Sequence, residues 1–148
     1  MVRSIKGKHP QYYEAVLQLR SVTDEVIEFV KKEIVKIPVA KMVKIKNGID
    51  YYLADNDFTK ALGKKLQQKF GGQQQVTASL FSKKDGKEIY RVTVLYRGVN
   101  FKKGDLVEYQ GSEYTVKLLG KELMLQETKT GKKIHVKYKN TNRIKKIG

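Results

Sequence analysis

The chain has no cysteine and no tryptophan, two prolines, two histidines, and 15 acidic side chains against 31 basic ones. Absent cysteine excludes disulfides and thiolate metal sites and leaves the redox compartment unreadable. His9 lies in a loose N-terminal segment, and His135 sits mid-strand between Ile134 and Val136, where an imidazole is a surface or structural group. No Cys-His or His-x-x-x-His spacing offers a metal site. The glycine pair Gly71-Gly72 follows a helix instead of opening one, so it makes no phosphate cradle. The densest carboxylates, Asp24 with Glu28 and Asp50 with Asp55 and Asp57, are accounted for by capping and surface placement. No catalytic residue, metal or cofactor is expected. The start, MVRSIKGKHPQ, is charged without an apolar segment behind it, so no signal peptide is read. No apolar run reaches the length of a membrane span. The expectation is a cytoplasmic, monomeric protein with no membrane partner.

What is abundant is positive charge. The net charge is +16, and both ends share it: residues 1–97 carry 19 bases and 10 acids, residues 98–148 carry 12 and 5. An excess distributed this way implies a polyanionic partner. Lysine enrichment from a hot habitat would raise glutamate as well, and here it does not.

The first part of the chain alternates strands and helices. Residues 12–20 read as a strand with Tyr13, Ala15, Leu17 and Leu19 on one face. Thr23 caps a helix whose Val26, Ile27, Val30, Ile34 and Ile37 keep helical spacing, and Pro38 ends it. A hairpin follows around Lys46-Asn47-Gly48. A three-residue loop is preferred there because it sets Ile45 against Ile49 and Val43 against Tyr51. Asn56 or Asp55 caps a second helix with the stripe Phe58, Ala61, Leu62, Leu66, Phe70, and Gly71-Gly72 stops it. A second hairpin, with loop Lys84-Asp85-Gly86, pairs Leu80 with Tyr90, Ala78 with Val92 and Val76 with Val94. Thr77, Ser79, Arg91 and Thr93 are left on a wet or ligand-facing side. The expected fold is α+β, with two helices on an antiparallel sheet in the order β-α-β-β-α-β-β, over residues 1–97. Residues 98–103 read as a linker. Residues 104–148 read as five short strands (105–109, 112–118, 122–127, 132–136, 142–145), expected to close into a small SH3-like barrel in preference to an OB-type one.

Lysine doublets recur at 31–32, 64–65, 83–84, 102–103, 132–133 and 145–146, mostly in loops or strand ends, where long side chains reach a phosphate backbone. Lys60, Lys64, Lys65 and Lys69 line the outer face of the second helix, as a solvated face or a phosphate-contacting stripe. The candidate RNA-binding set is Lys60, Lys64, Lys65, Lys83, Lys84, Arg91, Arg97, Lys102, Lys103, Lys132, Lys133, Arg143, Lys145 and Lys146. Tyrosines in half-buried strands mostly serve packing. Tyr12 and Tyr52 are the better stacking candidates because they fall opposite the predicted core.

YYEAVLQLR, a helix, NGIDYYLADNDFTKALGKKL, then a hairpin ending in YRVTVLYR and KKGDLVEY, resembles the middle and C-terminal parts of the large-ribosomal-subunit nuclear export adaptor family, named for nonsense-mediated decay. The motifs carrying the likeness are Tyr13-Glu14-Ala15, Gln18, Arg20 and Gly48-Ile49-Asp50-Tyr51-Tyr52. The resemblance implies a non-catalytic factor that binds ribosomal RNA and large-subunit ribosomal proteins during subunit assembly or maturation. Family members carry paired Cys-x-x-Cys zinc motifs ahead of YYEAVLQLR and, in eukaryotes, a leucine-rich export signal. Neither is present, so an archaeal-type member or fragment without the zinc domain is expected. The competing expectation is a protein–protein adaptor whose barrel binds a ribosomal protein or peptide.

Overall fold

The computed structural model describes residues 12–147. His9, the rest of the N-terminal segment read above, and Gly148 lie outside them. Seven elements form the first part: β1 (Ala15–Arg20), α1 (Asp24–Ile34), β2 (Val39–Ile45), β3 (Gly48–Leu53), α2 (Asn56–Phe70), β4 (Gln73–Lys84) and β5 (Lys87–Arg97). Their order is the expected one. Both helices start where short polar side chains can accept a backbone N–H. Thr23 Oγ1 accepts from Val26 N, and Asp55 Oδ1 accepts from Phe58 N at 2.9 Å. Gly71, at φ +73°, ends α2.

The sheet runs β2-β3-β1-β5-β4 and is mixed, which corrects the antiparallel expectation. β1 is antiparallel to β3 but parallel to β5, with Ala15 beside Val92 and Arg20 beside Arg97. The two hairpins flank β1, and the second one docks through its returning strand, which then runs in the direction of β1. Hairpin logic is local and constrains only strands joined by a tight turn.

The registers of those hairpins separate two uses of glycine. Around residue 46 the turn is Lys46-Asn47 alone, and Ile45 faces Gly48, Val43 faces Asp50 and Met42 faces Tyr51. The expected pairing of Ile45 with Ile49 is therefore displaced by one residue. Gly48 is needed inside the strand: a Cβ there would lie 1.9 Å from the Leu19 carbonyl oxygen. In β4–β5 the expected partners Leu80–Tyr90, Ala78–Val92 and Val76–Val94 are found. The loop is shorter than expected, because Lys84 pairs with Lys87 across a two-residue Asp85-Gly86 turn. A bulge between Leu80 and Ser82 absorbs the difference and leaves Phe81 as the extra residue.

One face of the sheet is the core. Leu17, Leu19, Ile49, Tyr51, Leu53, Val92, Val94 and Tyr96 pack beneath Val26, Val30 and Ile34 of α1 and Leu62 and Leu66 of α2. Within α2 the buried set also holds Thr59 and Gly63, whereas Ala61 is exposed. Gly63 sets that rotation, since a Cβ would come within 2.6 Å of Val94 Cγ1. Tyr13 leaves the core face altogether, because β1 begins only at Ala15.

The second part holds β6 (Leu106–Tyr109), β7 (Ser112–Leu119), β8 (Leu123–Glu127), β9 (Lys133–Val136), a 3₁₀ helix (Tyr138–Arg143) and β10 (Lys145–Lys146). These strands lie within a residue or so of the expected ones, apart from the last segment. Their order is β10-β6-β7-β8-β9, an open antiparallel sheet. The expected closed barrel, SH3-like or OB-type, is not formed. Residues 138–143 wind into the 3₁₀ helix, and β10 has only two residues, which pair with Glu108 and Val107. β9 and β10 remain the two edges.

A second apolar cluster forms on this sheet and takes in Phe101, with Val99 packed against it. The segment 98–103 is thus anchored by its own side chains. Within each part a tyrosine hydroxyl is tied to a glycine, and those glycines, Gly71 and Gly120, are where the two parts come close. Tyr138 Oη donates to the Gly120 carbonyl at 2.6 Å and accepts from Gly120 N at 3.1 Å, while Tyr96 Oη donates to the Gly71 carbonyl at 2.6 Å. A Cβ on Gly71 would meet Leu119 Cδ1 at 2.5 Å and Tyr138 Oη at 2.7 Å.

Candidate nucleic-acid interface

Alternation puts a second, polar surface opposite the core of the first sheet. Gln18 and Arg20 come from β1, Asp50 and Tyr52 from β3, Lys41 from β2, Arg91, Thr93 and Arg97 from β5, and Gln73, Gln75, Thr77 and Ser79 from β4. Neither helix lies on this side. Arg20 is neutralised, with its guanidinium donating to Asp50 Oδ1 at 2.7 Å. Arg91 and Arg97 make no ion pair with any described residue.

Arg91 is held by aromatic rings. Its guanidinium carbon lies 4.0 Å from the centroid of Tyr13 and 3.7 Å from that of Phe81. Tyr13 meets Tyr52 edge-on at 4.9 Å, and Lys41 Nζ lies 4.4 Å over Tyr52. Lys41, Tyr52, Tyr13, Arg91 and Phe81 therefore form one file of alternating cations and rings across the sheet. Arg91 Nε is buried without a hydrogen-bond partner among the described residues. At the end of β5, Arg97 opens onto a cleft of about 400 Å³ lined also by Asn100, Thr141 and Asn142.

The structure distributes the expected basic residues over several places. On α2, Lys60 reaches Asp57 at 3.7 Å and Lys65 reaches Glu33 of α1 at 2.8 Å, so of the three Lys64 has no acid partner among the described residues. Hydrogen bonds from Lys65 and then Lys36 hold the Glu33 carboxyl below its ordinary range. Lys83 is exposed near the tip of the β4–β5 hairpin, and Lys84 enters through its backbone pairing with Lys87. Lys102 pairs with Glu25 at 3.6 Å and Lys146 with Asp105 at 3.6 Å. Lys103, Lys132, Lys133, Arg143 and Lys145 are exposed without acid partners among the described residues. Because β9 and β10 are opposite edges, Lys132 and Lys133 stand across the sheet from Lys145 and Lys146.

Both stacking candidates make contacts of their own. Tyr52 lies under Lys41, and Tyr12 donates its hydroxyl to Glu14 Oε1 at 2.7 Å. Sequence reasoning missed Lys41, Tyr13 and Phe81. The pairing of Lys41 with Tyr52 depends on the β2–β3 register, and Phe81 reaches Arg91 only through the bulge.

Among the described residues no group of three histidine or carboxylate side chains could hold a metal. None of their helices is long and apolar enough to cross a membrane. A family model described as NMD3, second domain, matches residues 12–97, which span the first sheet and both helices. A comparison with curated proteins finds no match.

Proposed function

The chain belongs to the NMD3 family, whose members are non-catalytic adaptors with a ribosome-related role, and from that premise we propose that it binds ribosomal RNA of the large subunit during assembly or maturation. It is not an enzyme. The observation that carries the finer reading is the polar face of the first sheet, where Arg91 and Arg97 stand without carboxylate partners among the described residues, amid hydrogen-bonding side chains. In this reading Lys83, Lys103, Arg143 and Lys145 extend the contact electrostatically and Lys102 and Lys146 trade their acid partners for phosphates, while Lys60, Lys64 and Lys65, on the helix side of the sheet, add only long-range attraction. Residues 1–97 and 104–148 act as two units joined by 98–103. The setting is a cytoplasmic, archaeal-type factor working as a monomer, with large-subunit ribosomal proteins as further partners.

Co-sedimentation with purified large subunits at two salt concentrations, followed by crosslink mapping, tests this. If six or more phosphates are engaged, affinity falls roughly a thousandfold between 50 and 200 mM salt. Binding that is indifferent to salt over that range rejects the reading. A protein-adaptor role draws on a different observation: Met42, Val43 and Ile45 of edge strand β2 are exposed. Crosslinks confined to ribosomal proteins and clustered at β2 would favour it.

A further inference from the structure

We infer that the polar face of the first sheet grips the sugar-phosphate backbone of base-paired RNA, with Arg91 as its fixed phosphate donor. This rests on the RNA-binding reading above and narrows it to one class of RNA.

The rings of this face are engaged with cations. Arg91 lies between Tyr13 and Phe81, at 4.0 and 3.7 Å. Lys41 sits 4.4 Å over Tyr52, and Tyr13 abuts Tyr52 edge-on. Proteins that read single strands offer aromatic faces on which unpaired bases stack. Here a base stacking on Tyr52 must displace Lys41, and one stacking on Tyr13 competes with Arg91. What the file offers outward is oriented positive charge.

Arg91 shows this most sharply. With two ring centroids within about 4 Å of its guanidinium carbon, Arg91 is walled in by aromatics, and its N–H groups are what it has left to offer a ligand. None of those N–H groups donates to any described residue; Nε is buried, so the edge left for a ligand is the one carrying the two terminal Nη groups. An edge-on fork of fixed orientation matches the oxygens of a phosphate, and holding the fork in advance removes the ordering cost that a free arginine would meet on binding.

The spacing of the cations is also fixed. Lys41 on β2 is three strand intervals from Arg91 on β5, about 14 Å, and Arg97 lies six residues further along β5, about 20 Å. Gln18, Gln73, Gln75, Thr77 and Thr93 on the same face supply neutral donors and acceptors suited to phosphates and 2′-hydroxyls. A rigid array of this kind suits an A-form helix, which presents backbone and 2′-hydroxyls at regular intervals and hides its bases.

The test compares a blunt RNA duplex with a single strand of the same sequence, bound to the full chain across a salt series. Wild type, Arg91→Gln, Arg91→Lys and Tyr52→Leu are measured, each checked for an unchanged melting curve. The duplex is expected to bind at least as tightly as the strand. Arg91→Gln is expected to weaken duplex binding several-fold and to lower the log–log salt slope by about one. Arg91→Lys should keep most of that slope while still losing affinity, because an ammonium cannot form the fork. Tyr52→Leu should weaken duplex and strand by the same factor through Lys41. A preference for the single strand that disappears in Tyr52→Leu overturns the inference in favour of base stacking. So does an unchanged duplex slope in Arg91→Gln. Failure of wild type to bind either RNA at low salt instead removes the RNA-binding reading beneath it.

Discussion

Arg20 on β1 and Asp50 on β3 are joined by a 2.7 Å ion pair across the strand seam, in space that Gly48 leaves open. A Cβ at position 48 would lie 3.0 Å from the Arg20 guanidinium as well as against the Leu19 carbonyl. Three members of the family-like motif thus form one local device. Both side chains of the pair are mostly shielded, at 16% and 13% exposure. Asp50→Asn leaves a mostly shielded guanidinium without its counter-charge and should cost about 1–3 kcal/mol. Gly48→Ala meets backbone rather than a movable side chain and should cost about 3 kcal/mol or more. Urea midpoints at constant slope measure both.

The glycine contacts at the junction give a second expectation. Tyr138→Phe removes both hydrogen bonds to Gly120 and should destabilise by about 1–2 kcal/mol. Gly71→Ala combines a positive φ with contacts below 3 Å and should cost more. Burial raises the Tyr138 phenol above its ordinary value and raises that of Tyr96 strongly. The neutral phenols therefore favour the folded state below the ordinary tyrosine value of 10, and that stabilisation is lost as pH climbs from there toward the folded-state values. Alkaline melting curves should show the loss, reduced in Tyr138→Phe.

On the acid side the sign reverses. Glu33 is held below its ordinary pKa by Lys65 and Lys36. Its contribution is present above the ordinary carboxylate range and disappears as pH falls through the lowered value. Both lysines are half exposed, so solvent screening keeps the effect below about 1 kcal/mol. Glu33→Gln should flatten that part of the stability–pH curve, and added salt should do the same.

Opposite placement of the two terminal lysine pairs leads to an unequal response. A relatively flat RNA surface reaches one edge of the second sheet more readily than the other. Lys132→Glu with Lys133→Glu and Lys145→Glu with Lys146→Glu should therefore weaken large-subunit binding by different factors. Equal losses in co-sedimentation would contradict contact through one edge of the second sheet.

Much of this was legible in local chemistry. Thr23, Asp55 and Gly71 set the helix ends, and alternation across Val76–Leu80 and Tyr90–Val94 fixed the register of the β4–β5 hairpin. What escaped was non-local. The parallel pairing of β1 with β5 joins segments far apart in sequence, and Lys65 finds Glu33 on another helix. Residues 138–143 wind into a 3₁₀ helix and the second sheet is open, neither of which strand periodicity registers. At the interface, Arg91 was visible from its face of the hairpin, but its two aromatic walls were not: Tyr13 precedes the strand and Phe81 breaks the alternation.

The bulge at Phe81 makes chain length, and not only composition, a determinant of this surface. Deleting that one codon would leave every paired residue of β4 and β5 opposite its present neighbour and yet remove one wall of the arginine's slot. Relatives with an indel at this point would keep the strand pattern and all their basic residues while presenting a differently aimed cation.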